Sequence, residues 1–295
     1  MIGAEHAPDG QARIAMKTLL AVVSDGTAVP LLETALLVAR RFGARIVGLN
    51  ALTSEYAVVF GGEMGFSISS EVDRTLEREG QDRREQARAL FSSFMRQHGV
   101  PVGSAPGEGP SAEWREESGR QNSVTGTLGR VFDLIAVERP AKLASLAEAT
   151  LEDALFESGR PVLMTPPAPL ASIGEQVLLA WNGSTETART VAFAMPFLKR
   201  AKSVQVVSVE GGMTPGPSAE DLAATLSRHA IAAIGRHVAA RGRTPGELYL
   251  DEAKAIGADL MVKGAYTQSR LRQMIFGGAT RHIIMEATMP VILAH

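Results

Sequence analysis

The chain has 295 residues, of which 45% are apolar and 21% charged, a balance typical of globular proteins and enough for about two domains. The absence of cysteine excludes disulfides, thiolate metal sites and cysteine nucleophiles, and the net charge of −2 gives no electrostatic basis for nucleic acid or a membrane surface as partner. No apolar run reaches the roughly 18 residues of a bilayer span, and residues 1–13 lack the apolar core of a signal peptide, so we expect a cytoplasmic protein.

Apolar runs and helical periodicity alternate along the first half of the chain. One helix is predicted between the first two strands and ends at Gly43. A second, longer helix is predicted from Ser70 to His98. Residues 51–70 are predicted to be either an apolar loop against the core or a lid over a cleft. The predicted strands of this half lie at residues 18–23, 45–49, 112–116, 133–137 and 161–165. Strand–helix–strand units with short turns predict a parallel sheet.

The pattern restarts after a proline-rich linker at residues 166–169. A helix that begins at Ser218, with acidic residues in its first turn, is predicted to continue to about Arg241. No room for a strand then remains before Pro245, so we predict that the second sheet lacks one edge strand. The predicted strands of this half lie at residues 177–181, 204–209, 260–262 and 291–293. Its other predicted helices lie at residues 185–199 and 245–255.

Four short segments recur in the same order in both halves, which indicates an internal duplication. They pair residues 25–27 with 182–184, 133–135 with 259–261, 149–150 with 279–280, and 160–163 with 289–292. The sequence therefore predicts two tandem α/β domains, 15–166 and 175–295, each a doubly wound, mostly parallel sheet.

The stretch from Asp259 to the C-terminus contains the one candidate phosphate-binding loop that we find in the sequence. A buried strand breaks at Gly264, a polar loop follows, and Gly277 and Gly278 open a helix. Backbone N–H groups at such a helix start can hold an anion. Three alternatives stay open from the residues alone: an adenine-nucleotide site, a structural turn that needs glycine for close packing, or a site for another small ligand.

The duplicated pattern resembles the universal stress protein family in its tandem form, from about Lys17 to His295. Nucleotide-binding members carry Gly, two residues, Gly, nine residues, Gly, then Ser or Thr; here Gly264, Thr267, Gly277 and Gly278 hold that spacing. The turns at residues 25–27 and 182–184 and the Pro-Val starts of both last strands are also similar to the family. Thr267 stands where the family has glycine, and Gly278 stands where it has serine or threonine. The hydroxyl group of Thr280, two residues later, could take the place of the missing one.

The resemblance implies a five-stranded domain that binds ATP or another adenine nucleotide. Such a ligand is possible in this chain, and the fold does not require it. Phosphates would lie on the N–H groups of Gly277, Gly278 and Ala279 near Thr280, with Lys263 or Arg270 adding charge. Adenine and ribose would lie near Asn182 and the end of the strand at 204–209. The residues implied in cofactor binding are Asn182, Gly183, Lys263, Gly264, Thr267, Gly277, Gly278, Ala279 and Thr280.

The first half is predicted not to bind nucleotide in the family's manner. Glu138 occupies the position of Gly264 and would repel an anion, and Pro140 lacks a backbone donor.

Residue patterns for catalysis and metal binding are sparse, so we predict no enzyme, no catalytic residue and no metal site, with slow ATP hydrolysis left open. His229 and His237 are predicted on one helix, two turns apart, without metal-ligand spacing. The expected function is a stress-response protein that regulates an unknown protein partner and forms an intrachain pseudo-dimer through its last strands, with a homodimer possible. An adenine-nucleotide-using enzyme of related fold and a ligand-free interaction scaffold are the alternatives.

Overall fold

The computed structural model describes residues 16–52, 70–103, 109–118, 121–142, 145–265 and 278–295. The prediction for residues 51–70, loop or lid, falls almost entirely outside these described residues. Strands and helices alternate in both halves. The elements of the first half are β1 (Thr18–Val22), α1 (Val29–Phe42), β2 (Arg45–Leu52), α2 (Ser70–Gln97), β3 (Ser111–Ser118), α3 (Gln121–Gly129), β4 (Leu134–Glu138), α4 (Leu146–Glu157) and β5 (Val162–Thr165).

The second half repeats this order element by element. Its described elements are β6 (Gln176–Ala180), α5 (Thr185–Leu198), β7 (Ser203–Val209), α6 (Ala219–Ser227), β8 (Ala233–Val238), α7 (Pro245–Ala255), β9 (Leu260–Gly264), α8 (Gly278–Glu286) and β10 (Val291–Ala294).

All ten strands form one sheet in the order β3-β2-β1-β4-β5-β10-β9-β6-β7-β8. Each half contributes five parallel strands with the same internal order, and the halves meet where β5 and β10 pair antiparallel, with Leu163 opposite Ile292. The prediction that the last strands join the halves is therefore confirmed. Because the pairing is antiparallel, the strands of the two halves point in opposite directions, and their carboxyl ends lie at opposite edges of the sheet.

Helices cover both faces of the sheet and bury two apolar layers. On β1, Leu19 and Ala21 face the layer formed with α1, α2, α5 and α6, whereas Leu20 and Val22 face the layer formed with α4, α7 and α8. Both layers run through both halves. A strand buried on both faces reads as a continuous apolar run, which is why the sequence identifies these strands.

One carboxylate in each half repeats the same structural task. Asp133 Oδ2 accepts hydrogen bonds from the N–H groups of Lys17 and Thr18 at 2.7 and 2.9 Å. Asp259 Oδ1 accepts from the N–H groups of Glu175 and Gln176, both at 2.9 Å. Each carboxylate thus fixes the start of the first strand of its half, and this correspondence supports the predicted duplication.

The prediction that the second sheet lacks an edge strand is wrong. The helix that begins at Ser218 has the expected capping box with Asp221, but it ends at Ser227. Ala230 then adopts a left-handed conformation with a φ of 59°, and β8 runs parallel to β7. No glycine, proline or asparagine marks this reversal, and Ile231 and Ile234 are three residues apart, which imitates a helical period. As an exposed edge strand, β8 lacks the apolar alternation that would have revealed it: Ile234 is 63% exposed.

Because α6 ends at Ser227, His229 and His237 do not lie on one helix as predicted. His237 lies in β8 with its Nδ1 3.0 Å from Ser208 Oγ, whereas His229 lies in the turn after α6.

Gly235→Ala distinguishes this strand from the helix that the sequence suggests. A Cβ at Gly235 would lie 2.4 Å from the carbonyl oxygen of Ala219, so we expect a loss of about 1–3 kcal/mol in the free energy of unfolding. In a helix the same change would stabilise by up to about 1 kcal/mol. Gly80→Ala in α2 is the matched control, because a Cβ there meets no heavy atom within 4 Å and should be neutral or stabilising. Urea denaturation of both variants measures the sign, and a stabilised Gly235→Ala variant would contradict the strand.

Candidate functional site

The predicted site of the second half lies at the carboxyl ends of β6 and β9, where the chain order of the sheet reverses. Such a switch point is where open α/β sheets form ligand clefts. Asn182 and Gly183 follow β6, and Lys263 and Gly264 end β9. Thr267, Arg270 and Gly277 lie outside the described residues.

Lys263 is a buried cation at this edge. Its side chain is 8% exposed, and its Nζ donates to the Gly264 carbonyl oxygen at 2.8 Å and to Thr280 Oγ1 at 2.9 Å. Burial lowers the pKa of Lys263 to about 8, which still leaves the ammonium mostly protonated at neutral pH. No carboxylate pairs with it among the described residues, and the corresponding position in the first half is Val137.

The first turn of α8 stands directly above this ammonium. Thr280 is buried and bonded to Lys263, Ala279 is half-buried and Gly278 is exposed. The first N–H groups of a helix have no partner within the helix, and its N-terminus carries partial positive charge. The structure therefore brings Lys263 and Thr280 into contact, with Ala279 and the exposed Gly278 preceding Thr280 at the start of α8.

Gly264 and Gly183 are packing residues in this structure. A Cβ on Gly264 would lie 2.5 Å from the N atom of Thr187, so glycine lets β9 approach the first turn of α5. Gly183 has a φ of 79°, and a Cβ there would lie 2.9 Å from the Thr214 carbonyl oxygen. Both glycines shape the rim of the site by close backbone contact.

Asn182 holds the turn after β6 with one end of its amide. Its Oδ1 accepts from Thr187 Oγ1 at 2.5 Å and from the Ser184 N–H at 3.2 Å. Its Nδ2 makes no hydrogen bond with any described residue. In the first half Asp25 Oδ1 accepts from the Thr27 N–H at 2.7 Å, so the turn itself is repeated.

Trp181 is a core residue. It is 4% exposed, its Nε1 donates to the Pro217 carbonyl oxygen at 2.8 Å, and its own carbonyl accepts from the Tyr249 hydroxyl at 3.0 Å. The indole therefore belongs to the packing beneath the 210–217 loop.

A cavity that the sequence does not predict lies at the equivalent edge of the first half. We call it the first-half cavity; its volume is about 440 Å³. It opens at the carboxyl ends of β1, β2 and β4 and reaches α2 and the first turn of α4. The charged side chains that line it are Asp25, Arg83, Arg84, Glu138, Arg139 and Lys142.

Glu138 lies inside this cavity with its carboxyl group largely removed from water. Burial, together with the nearby Asp25 carboxylate, raises the pKa of Glu138 to about 7. It makes no hydrogen bond or ion pair with any described residue. The sequence signal for the cavity was the pair Arg83 and Arg84 in the middle of α2, in a charged stretch that looks like a solvated helix face until the fold brings it to β4.

Two further features of the described residues bear on function. No group of three His, Asp or Glu side chains is placed to hold a metal ion in the part of the chain that the structure describes. No described helix is long and apolar enough to cross a membrane.

Comparison with known proteins identifies the family. The model of the universal stress protein family matches residues 175–295, which is the half that contains Lys263 and α8. This half of the chain belongs to the universal stress protein family. Among curated protein sequences, none matches the chain significantly.

Solved structures extend the likeness to the whole fold. A universal stress protein from Archaeoglobus fulgidus DSM 4304 superposes with a TM-score of 0.66 at 15% identity, over 95% of this chain and 96% of that one. A Pseudomonas aeruginosa UCBPP-PA14 protein assigned to the same family gives 0.52 at 14% identity, over 95% and 93%. At these identities the likeness shows the fold alone, and the first half thus has a universal-stress-protein-like fold.

Lys263→Met should remove a pH-dependent part of the stability of the universal stress protein half. Because the pKa of Lys263 is lowered to about 8, the unfolded state binds more protons than the folded state between that pH and the ordinary lysine range. Stability should therefore rise with pH from about 8 upward, by roughly 3 kcal/mol at most.

Urea denaturation between about pH 7 and pH 10 measures this rise, which methionine, an uncharged side chain of similar size, should abolish. Lys254→Met is the matched control, since Lys254 is exposed in α7 and its loss should leave the rise intact. Parallel curves for wild type and Lys263→Met would show that Lys263 is not buried as described.

Proposed function

We propose that the second half binds an adenine nucleotide and that the protein is a cytoplasmic stress-response regulator rather than an enzyme. The observation that carries this proposal is the buried Lys263 ammonium at the N-terminus of α8. It has neutral acceptors and no carboxylate partner among the described residues.

A buried ammonium without an opposite charge is costly, and a phosphate bound above it would supply that charge. Two of the three donors of the ammonium bond to Gly264 and Thr280, which leaves a third for a phosphate oxygen. The N–H groups of the first turn of α8, which have no partner within the helix itself, add further donors on the same side.

The ribose end of a nucleotide has a matching donor at Asn182. The Asn182 Oδ1 is engaged in the turn after β6, but its Nδ2 makes no hydrogen bond with any described residue. Because β6 and β9 are neighbours in the sheet, Asn182 and Lys263 lie at the same edge. This pairing fits the family pattern, in which the loop after the fourth strand holds phosphates.

The proposed role is regulatory because the site supplies charge and donors rather than a base. Lys263 stays mostly protonated at neutral pH, so it binds an anion and does not accept a proton. A bound nucleotide would change the charge and shape of the surface at this edge of the sheet, which a protein partner could contact. Slow hydrolysis of ATP is compatible with this regulatory role, but the role does not depend on turnover.

Gly278→Asp tests the nucleotide site without disturbing the fold. A Cβ at Gly278 meets no described heavy atom within 4 Å, and an acidic residue suits a helix N-terminus, so stability should be unchanged or slightly higher. A carboxylate there would repel a phosphate by about 1 kcal/mol or more, so ATP affinity should fall by about tenfold. Isothermal titration of the full chain with ATP measures the change.

Gly278→Asn is the matched control, because it has the size of aspartate without the charge and should bind ATP almost as wild type does. Gly278→Ser restores the hydroxyl of the family pattern and should bind at least as tightly as wild type. Equal losses in the aspartate and asparagine variants, or no wild-type binding at millimolar ATP, would sink the nucleotide proposal. Multiple-turnover phosphate release that disappears in Lys263→Met would replace the regulatory role with an enzymatic one.

A further inference from the structure

The first-half cavity has the size of a small-molecule site and lies where this class of sheet binds ligands. Its volume of about 440 Å³ falls in the range of roughly 300–1,000 Å³ that is usual for ligand pockets. It opens at the reversal of strand order between β1 and β4, at the carboxyl ends of both strands.

The charges around the cavity favour an anion. Arg83 and Arg84 face it from α2, and Arg139 and Lys142 face it from the segment between β4 and α4. The two acids that face it are Asp25, in the turn after β1, and Glu138, at the end of β4. Asp25 is held by Thr27, which donates to Asp25 Oδ1 from its N–H and, at 2.6 Å, from its hydroxyl, so that carboxylate already has partners.

Two guanidinium groups of the cavity have donors that are not used. The Nε atoms of Arg84 and Arg139 are buried and have no hydrogen-bond partner among the described residues. A buried donor without a partner is costly, and a carboxylate or phosphate group is the natural acceptor for a guanidinium. Both arginines can therefore donate to an oxyanion bound in the cavity.

The first turn of α4 closes the same side of the cavity. Ser145 caps this twelve-residue helix by accepting from the Glu148 N–H at 3.2 Å, and Leu146 and Ala147 line the cavity beside it. The early N–H groups of a helix and its dipole favour an anion in this position.

We propose that the first-half cavity binds a small organic anion, whose carboxylate or phosphate group is held by Arg84, Arg139 and the first turn of α4. The oxyanion is held chiefly by side chains here, because Pro140 and Glu138 replace the glycine loop of the second half. This inference is independent of nucleotide binding by the second half.

Glu138 makes the binding depend on pH. Its pKa is raised to about 7 by burial and by the Asp25 carboxylate, and the other titratable groups that line the same cavity are Arg83, Arg84, Arg139 and Lys142. The ionised carboxylate repels an anion, whereas the protonated form donates a hydrogen bond to it. Affinity is therefore highest below the pKa of Glu138 and falls as the pH rises through about 7.

The test is a titration of the full chain with sulfate and with succinate, at constant ionic strength, at about pH 6 and about pH 8. Sulfate is fully ionised at both pH values, whereas succinate gains a little negative charge as the pH rises, which by itself would favour a cationic site. A fall in the affinity for either probe therefore reports on the protein. We expect saturable binding that weakens about tenfold between the two pH values, as one linked proton with a pKa near 7 requires. Binding of sulfate alone identifies a phosphate-like ligand, and binding of succinate alone a carboxylate.

Three variants decide whether the anion occupies the cavity. Arg84→Gln should weaken binding about tenfold or more at both pH values. Arg88→Gln is the matched control, since Arg88 lies one turn further along α2, is 66% exposed beside Glu116 and does not line the cavity. Glu138→Gln should retain binding at about pH 6 and lose the pH dependence.

The proposal is overturned if neither probe binds saturably at about 20 mM, far above the concentrations at which specific sites fill. It is also overturned if Arg84→Gln and Arg88→Gln weaken binding equally, since that would be a general charge effect. If Arg84→Gln proves poorly folded, the pH profile of Glu138→Gln still decides, because a pH dependence that persists in that variant excludes the cavity.

Discussion

The antiparallel pairing of β5 and β10 is the interaction on which the rest of this structure depends. Each half alone would expose the edge of its last strand, a row of unpaired N–H and C=O groups in its most apolar segment. Joined, the six paired residues of Val162–Met164 and Val291–Leu293 are at most 1% exposed. The pairing makes one ten-stranded sheet from two five-stranded ones, and both apolar layers continue across it.

Side chains lock this junction on both sides of the sheet. On one side the rings of Phe42 and Phe197 meet edge to face at 4.8 Å, and Arg41 bonds Glu175 at 2.8 Å. On the other side Phe156, at the end of α4, meets the ring of His295 at 5.0 Å. The halves are thus held as two subunits of a dimer would be, with the linker keeping them at high effective concentration.

The antiparallel junction also places each candidate site next to the other half. The two switch points lie at opposite edges of the sheet, and the last helix of each half spans the distance between them. The N-terminus of α8 stands over Lys263, while near its other end the Met285 carbonyl accepts from Arg139 of the first-half cavity. In the same way α4 begins at the first-half cavity and ends with Phe156 against His295, which follows β10. One side chain, Arg139, therefore belongs both to a cavity of one half and to the last helix of the other.

The sequence by itself determined the fold class, the duplication and nine of the ten strands. Eight of these nine lie inside the sheet and leave apolar runs because they are buried on both faces, and a duplicated chain repeats its turns. It also determined that Lys263, Ala279 and Thr280 lie together, since a strand end and the helix after it must meet at a switch point. Only the tertiary structure revealed β8, whose exposed edge position removes the apolar alternation and whose turn uses Ala230 in place of glycine. Only the tertiary structure revealed the first-half cavity, because Arg84 and Glu138 are 54 positions apart and become neighbours solely through the packing of α2 against the sheet. Local patterns record which residues are buried, whereas a site is built from residues that long-range packing brings together.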